Sequence, residues 1–367
     1  MPASRPIKRV IFVQKFVPHY RLPLFELLKE KLESNGIEFI LIYGPPDPYE
    51  GSKVKMVYPE WGTKVDSRII KIFGRFLYWQ GVPFKIKKGD VVIVEQAAKL
   101  LDNYILFFLQ QINVVRLCYF GHGQNFQDKY ELKISKKIKQ LMVGRVSKWF
   151  AYTQMSVDSL LEQGVSNDKI VSVNNTLKIS RSVEEAAIDR NKFKFVYIGG
   201  LYKDKRIEFL LESVAKAQVK DSRFPFHIVG DGPQRDVVES FAKDNSWCTY
   251  HQALYGNERD SMLFECTAIL MPGLVGLVAV DSFHFACPIL TTDCGQHSPE
   301  YVYLKDRQNS LILPTEGTTD EYAGLILEFM SDEKLSEAVR QGSRESAGTY
   351  TIEDTAERFY DGIVSMG

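Results

Sequence analysis

The residues with the clearest chemical potential run from Met271 to Pro288, reading Met-Pro-Gly-Leu-Val-Gly-Leu-Val-Ala-Val-Asp-Ser-Phe-His-Phe-Ala-Cys-Pro. A short apolar strand, Thr267 to Met271, enters a Pro-Gly turn. Gly276 then opens a helix expected over Leu277 to Ala286, with Asp281 as its one carboxylate. Unpaired amides and the positive end of the dipole gather at a helix start, so the backbone of Gly273, Leu274, Gly276, Leu277 and Val278 suits a phosphate. A carboxylate one turn in suits a sugar hydroxyl. A second feature lies upstream, where Gly199 and Gly200 close a strand. The next helix is expected to begin near Asp204, with Lys205 and Arg206 in its first turn. Two cations there oppose the helix dipole. An anionic diphosphate would compensate them; the plain alternative leaves both in solvent. A third feature is His122, set between Gly121 and Gly123 just after a strand. His19 and Arg21 occupy the first strand-to-helix turn.

These residues need a scaffold, and the chain supplies one by alternation. Apolar runs at Arg9–Gln14, Glu38–Tyr43, Val91–Glu95, Val114–Phe120, Trp149–Tyr152 and Ile170–Val173 read as strands. Segments of helical period separate them, among them Leu22–Ser34, Ala97–Gln111 and Ser156–Gln163. The second half repeats the logic with strands at Lys194–Ile198, Phe226–Val229, Thr267–Met271 and Ile289–Thr292. Such alternation implies parallel sheets covered by helices. The expected fold class is α/β, with two doubly wound Rossmann-like domains facing across a cleft. Residues 1–178 form the first domain, 179–191 a polar linker and 192–350 the second domain. A terminal helix, 351–367, is expected to pack back on the first. Ligands of such sheets sit beyond the carboxyl ends of the strands, where all three features fall.

Composition narrows the classes. The chain has 367 residues, 45% hydrophobic and 25% charged, with a formal net charge of zero. Zero net charge gives no global attraction to nucleic acid. Five scattered cysteines form no Cys-x-x-Cys pair, which fits a reduced, cytoplasmic setting without a zinc site. No apolar run approaches the roughly 20 residues of a spanning helix.

Together the motifs resemble family 4 of the nucleotide-sugar glycosyltransferases, retaining enzymes of GT-B fold. The matching residues are Gly199-Gly-Leu-Tyr-Lys-Asp-Lys205, Val229-Gly-Asp-Gly-Pro233, Pro272 to Leu277 with Asp281, Pro288 to Thr292, and Pro299-Glu300 with Asn309-Ser-Leu311. The first half adds Val17-Pro-His-Tyr-Arg-Leu-Pro23, Gly121-His-Gly123 and Val173-Asn-Asn-Thr176. The resemblance implies a donor diphosphate on Lys205, phosphates capped by the backbone around Gly276 to Val278, and the nucleotide ribose on Asp281. It implies His122 near the transferred sugar, and His19 and Arg21 on the acceptor side. It further implies a UDP, GDP or dTDP sugar as donor, a glycan or lipid-linked acceptor, no metal and no cofactor. The resemblance also implies bacterial surface polysaccharide or lipopolysaccharide synthesis as the setting. The chain departs from the family pattern in three places: a pair of glutamates, an arginine and a Gly-Gly loop. Gly273 stands where the first of two glutamates is usual, and Asp281 replaces the second. Gly200 replaces an arginine, and Lys15-Phe-Val-Pro-His-Tyr20 replaces a Gly-Gly loop.

Residues 132–148 carry a basic amphipathic pattern. It suits the inner face of an anionic membrane, or equally a surface helix with its lysines in water. Neither a dinucleotide fingerprint after the first strand nor a P-loop is present, and no Asp-x-Asp metal motif is found. The competing readings are a GT-B sugar-nucleotide epimerase or hydrolase, and a catalytically weak sugar-nucleotide-binding partner protein.

Overall fold

The computed structural model describes residues 6–45, 55–72, 75–123, 142–179 and 193–367. The basic pattern expected over 132–148 lies largely outside them, as does most of the expected linker. The chain divides into two units, Met1–Lys178 with Ile352–Gly367, and Ile179–Thr351.

The N-terminal unit carries β1 (Arg9–Gln14), α1 (Leu22–Ser34), β2 (Glu38–Tyr43), β3 (Thr63–Lys64), β4 (Arg68–Ile72), β5 (Arg75–Trp79), β6 (Val91–Glu95), α2 (Asp102–Gln111), β7 (Arg116–Gly121), β8 (Lys148–Ala151), α3 (Gln154–Glu162) and β9 (Ile170–Ser172). Seven strands form one parallel sheet in the order β3-β2-β1-β6-β7-β8-β9, and β4 and β5 form a separate antiparallel hairpin. The strand sequences are near-continuous apolar runs because helices cover both faces. α1 contributes Leu24, Phe25, Leu28 and Leu32 to one face. The final helix, α10 (Ile352–Val364), returns to the same face, and Phe359 stacks on Phe150 with centroids 4.7 Å apart.

The C-terminal unit carries β10 (Phe195–Ile198), α4 (Ile207–Lys220), β11 (Phe226–Val229), α5 (Arg235–Asp244), β12 (Cys248–His251), α6 (Asn257–Glu265), β13 (Ala268–Leu270), α7 (Val278–His284), β14 (Ile289–Thr292), β15 (Ser310–Leu313), α8 (Thr319–Ser331) and α9 (Glu333–Ala347). Its six strands are parallel in the order β12-β11-β10-β13-β14-β15. The order reverses between β10 and β13. That switch point leaves a crevice at their carboxyl ends, the usual ligand position in such sheets. The corresponding reversal in the N-terminal unit lies between β1 and β6.

Candidate active site

Three loops converge at the switch point of the C-terminal unit. The first follows β10. Gly199 donates to the Val229 carbonyl at 3.0 Å and Leu201 to that of Asp231 at 2.9 Å, so this loop lies along the loop after β11. The contact is backbone on backbone. Gly230 has φ +156°, and a Cβ there would sit 1.9 Å from the Gly199 oxygen. The buried Tyr197 hydroxyl donates to the Gly200 carbonyl at 2.8 Å and fixes the turn.

The loop after β11 is the second, and the first loop, where it reaches α4, corrects the expected helix start. Lys203–Lys205 is a single 3₁₀ turn, Arg206 is left-handed with φ 55°, and α4 begins only at Ile207. Lys205 and Arg206 therefore precede the helix and do not occupy its first turn. Arg206 instead braces the site. Its Nη1 donates to Thr292 Oγ1 at 2.9 Å and to the Glu316 carbonyl at 2.6 Å, and the guanidinium lies 3.8 Å above the Phe209 ring.

The third loop is the Pro272–Gly273 turn. Lys205 Nζ donates to the Leu274 carbonyl at 2.5 Å, and the Leu274 amide donates back to the Asp204 carbonyl at 3.0 Å. Gly273 makes this reciprocal pair possible. A Cβ there would lie 2.4 Å from Lys205 C and 2.5 Å from Asp204 O. In this arrangement no side chain fits at 273, the position where the resemblance leads one to expect a glutamate. Burial lowers the Lys205 ammonium to about 8, against the opposing pull of Asp204, Cys294 and Glu300.

His297 buttresses the same turn. It accepts from the Val275 amide at Nδ1 (3.1 Å), which leaves the proton on Nε2 to donate to the Thr292 carbonyl at 2.9 Å. Burial, its main influence, favours that neutral form. Its ring stacks on Tyr301 at 3.8 Å. Among the described residues, the Gly276 and Leu277 amides on this turn make no hydrogen bond. Leu277 itself precedes α7, which starts at Val278.

Asp281 is buried on α7, and its Oδ2 pairs with Arg259 of α6, a residue that no motif marks. Arg259 also binds Asp260 at 2.9 Å. Asp281 Oδ1 is buried without a hydrogen bond.

In the N-terminal unit, His122 follows β7 and packs edge-on against Tyr152, centroids 4.3 Å apart. Burial, and after it the charge of Arg21, lowers the His122 imidazole to about 4, so it is neutral at pH 7. Arg21 Nη2 donates to the Tyr152 hydroxyl at 2.8 Å. Its guanidinium faces the Phe120 ring at 4.8 Å and the Tyr152 ring at 5.2 Å. His122 and Arg21 are therefore neighbours through Tyr152, which sequence reasoning passed over. His19 is exposed and bonds at Nδ1 to the Lys55 carbonyl, apart from this cluster. His227 and His251 pair with each other at 3.0 Å on β11 and β12. Among the described residues there is no group of three or more histidine, cysteine or acidic residues able to hold a metal ion.

Residues 179–346 match the model of the family described as glycosyl transferases group 1. The chain is 22% identical over 205 residues to an uncharacterized glycosyltransferase of Methanocaldococcus jannaschii, covering 54% of each, so it spans about half that relative's length. Solved structures match nearly end to end. The Anabaena protein HepE in complex with UDP aligns with TM-score 0.74 at 12% identity, over 98% of this chain and 100% of that one. The lipopolysaccharide outer core galactosyltransferase WaaB aligns with TM-score 0.68 at 14% identity, over 97% and 99%. The pneumococcal O-GlcNAc transferase GtfA, with UDP and GlcNAc, aligns with TM-score 0.68 at 11% identity, over 98% and 99%. At these identities the likeness establishes the fold, which is GT-B.

Proposed function

We propose that this chain is a metal-independent, retaining glycosyltransferase that takes its sugar from a nucleoside diphosphate. The observation that carries the reading is the convergence of Gly199–Gly200, Lys205 and the Pro272–Val278 turn at the switch point of the C-terminal sheet. The family match over 179–346 supports the same half as the donor side. HepE and GtfA were solved with UDP, which makes UDP the first donor base to test.

In this reading the diphosphate displaces the Leu274 carbonyl from Lys205 and takes the unbonded Gly276 and Leu277 amides. Preorganised donors of this kind stabilise the charge that develops on the leaving diphosphate. A buried acceptor left unbonded costs about 1–3 kcal/mol, and a ribose hydroxyl would satisfy Asp281 Oδ1. Arg206 acts as a brace behind the turn. Gly273 carries no side chain to read the sugar, so sugar hydroxyls fall to backbone groups and to the neutral His122. Arg21 and His19 belong to the acceptor side. The acceptor is a glycan or lipid-linked sugar of a bacterial surface polysaccharide. A leaving phosphate oxygen accepts the acceptor proton, so no protein nucleophile is required.

The test is incubation with UDP-, GDP- and dTDP-sugars and glycan acceptors, with the product's anomeric configuration read by NMR. Transfer with retention supports the reading. Inverted product removes the retaining assignment; hydrolysis or epimerisation without transfer at any acceptor replaces the transferase itself.

A further inference from the structure

Helix α2 of the N-terminal unit is apolar on its outward side as well as its inward one. It buries Asp102, Asn103 and Leu106 and packs Phe107 and Leu109 on the core, yet exposes Tyr104, Ile105 and Phe108, with Ile112 just past its end. The inward polar groups are all engaged. The Asp102 carboxylate accepts from the Gln80 amide at 2.7 Å and the Val82 amide at 2.8 Å. Asn103 donates to the Glu95 carbonyl at 2.9 Å, and Gln110 accepts from the Leu117 amide at 2.6 Å and from Ser147 Oγ at 3.0 Å. These bonds lock the helix in its orientation. The spacing of Tyr104, Ile105, Phe108 and Ile112 then places them on one outward stripe. Phe108 is 61% exposed and Ile112 52%. A helix bordering water ordinarily carries polar residues on that face.

The neighbouring elements continue the pattern. Phe84 ends a 3₁₀ turn and is 85% exposed, and the β4–β5 hairpin exposes Ile69, Ile70 and Phe76. Backbone bonds tie the hairpin to the start of α2, from the Tyr78 amide to the Lys99 carbonyl and from the Leu101 amide to the Tyr78 carbonyl. The cations here are dense. Arg68, Lys71, Lys85, Lys87 and Lys88 are exposed, and no acidic residue occurs from Ser67 to Gly89. Lys71 Nζ lies 5.5 Å from the Phe76 ring centre, so charge and apolar surface adjoin.

Exposed apolar surface of this extent marks an interaction site. We propose that the outward face of α2, with Phe84 and the β4–β5 hairpin, seats the chain on an anionic lipid surface. Phenylalanine and isoleucine enter the acyl boundary while lysine and arginine meet lipid phosphates, and both contributions add. A second copy of this chain would bring like charges together at such a face. The surface is separate from 132–148, and the proposal stands whether or not the chain transfers sugars.

The test is co-sedimentation of the full chain with vesicles of phosphatidylcholine alone and of phosphatidylcholine mixed with phosphatidylglycerol. Binding to the mixed vesicles, reversed by salt, is expected. Replacing Lys85, Lys87 and Lys88 by Gln should weaken it about 100-fold, near one kcal/mol per cation. Phe84→Ser and Phe108→Ser should each weaken it roughly tenfold. All these side chains are exposed, so the variants should keep the wild-type melting temperature. No binding, equal binding to neutral vesicles, or unchanged binding by the folded variants overturns the proposal. So does a dimer in sedimentation equilibrium that Phe108→Ser converts to monomer, because a second copy would then cover the face.

Discussion

The carboxyl edges of the two sheets are built from different materials. In the C-terminal unit the loops touch through backbone: Gly230 against Gly199, and Gly273 against the Asp204–Lys205 peptide. In the N-terminal unit the edge is built from side chains, with Arg21 held by Tyr152 and Phe120 and with His122 against Tyr152. A surface of amides and one lysine suits a ligand part that never varies, such as a diphosphate. A cluster of aromatic rings and a guanidinium can be retuned by single substitutions, which suits an acceptor that differs between enzymes. The contrast teaches that steric exclusion governs one half and side-chain chemistry the other.

The largest effect should come from giving the backbone edge a side chain. Gly273→Ala places a Cβ against Lys205 backbone and should cost about 2–3 kcal/mol of stability, measured by urea unfolding. Donor binding should fall with it. The equivalent insult to the other edge, His19→Ala, should leave stability within about 0.5 kcal/mol, because His19 is exposed.

Next in size is Lys205→Ala, which should lower kcat about 100-fold in transfer assays while the protein stays folded. Arg21→Gln should act differently. It should raise the acceptor KM about tenfold and leave donor hydrolysis unchanged, since a hydrogen bond to a charged group contributes about 1.5–3 kcal/mol. A variant that moved both activities equally would erase the division between the edges.

The smallest effect is in pH. A bound diphosphate favours the Lys205 ammonium, which otherwise loses its proton near pH 8. Binding above that pH takes up a proton, so donor affinity should decline as pH rises past about 8 and stay flat below it. His122, held down near 4 by burial and Arg21, should contribute no inflection around pH 6.5 in kcat.

The same difference in materials explains what the sequence disclosed. The limits of β1, β2, β6, α1, β11 and β14 follow directly from apolar runs and helical period. The glycine loops were legible because glycine at a strand end has few other uses. The start of α4 was not legible, because left-handed Arg206 is an arginine in a position that glycine or asparagine usually marks. The Arg21–Tyr152 and Arg259–Asp281 partnerships join residues distant in the chain, and no local pattern announces them. Nor does helical period separate the two sides of α2, because Leu106 on the inward side and Ile105 and Phe108 on the outward side are all apolar.

The central claim is that the C-terminal unit holds a nucleoside diphosphate through Lys205 and the Gly273–Val278 turn. The direct measurement is the melting temperature of the wild-type chain and of Lys205→Ala with and without UDP, GDP and dTDP. A ligand bound only to the folded state at 100 times its Kd adds about 2.7 kcal/mol of stability. One nucleotide should raise the wild-type melting temperature by several degrees and the variant's by far less. No shift with any nucleotide, or an equal shift in both proteins, would contradict the claim.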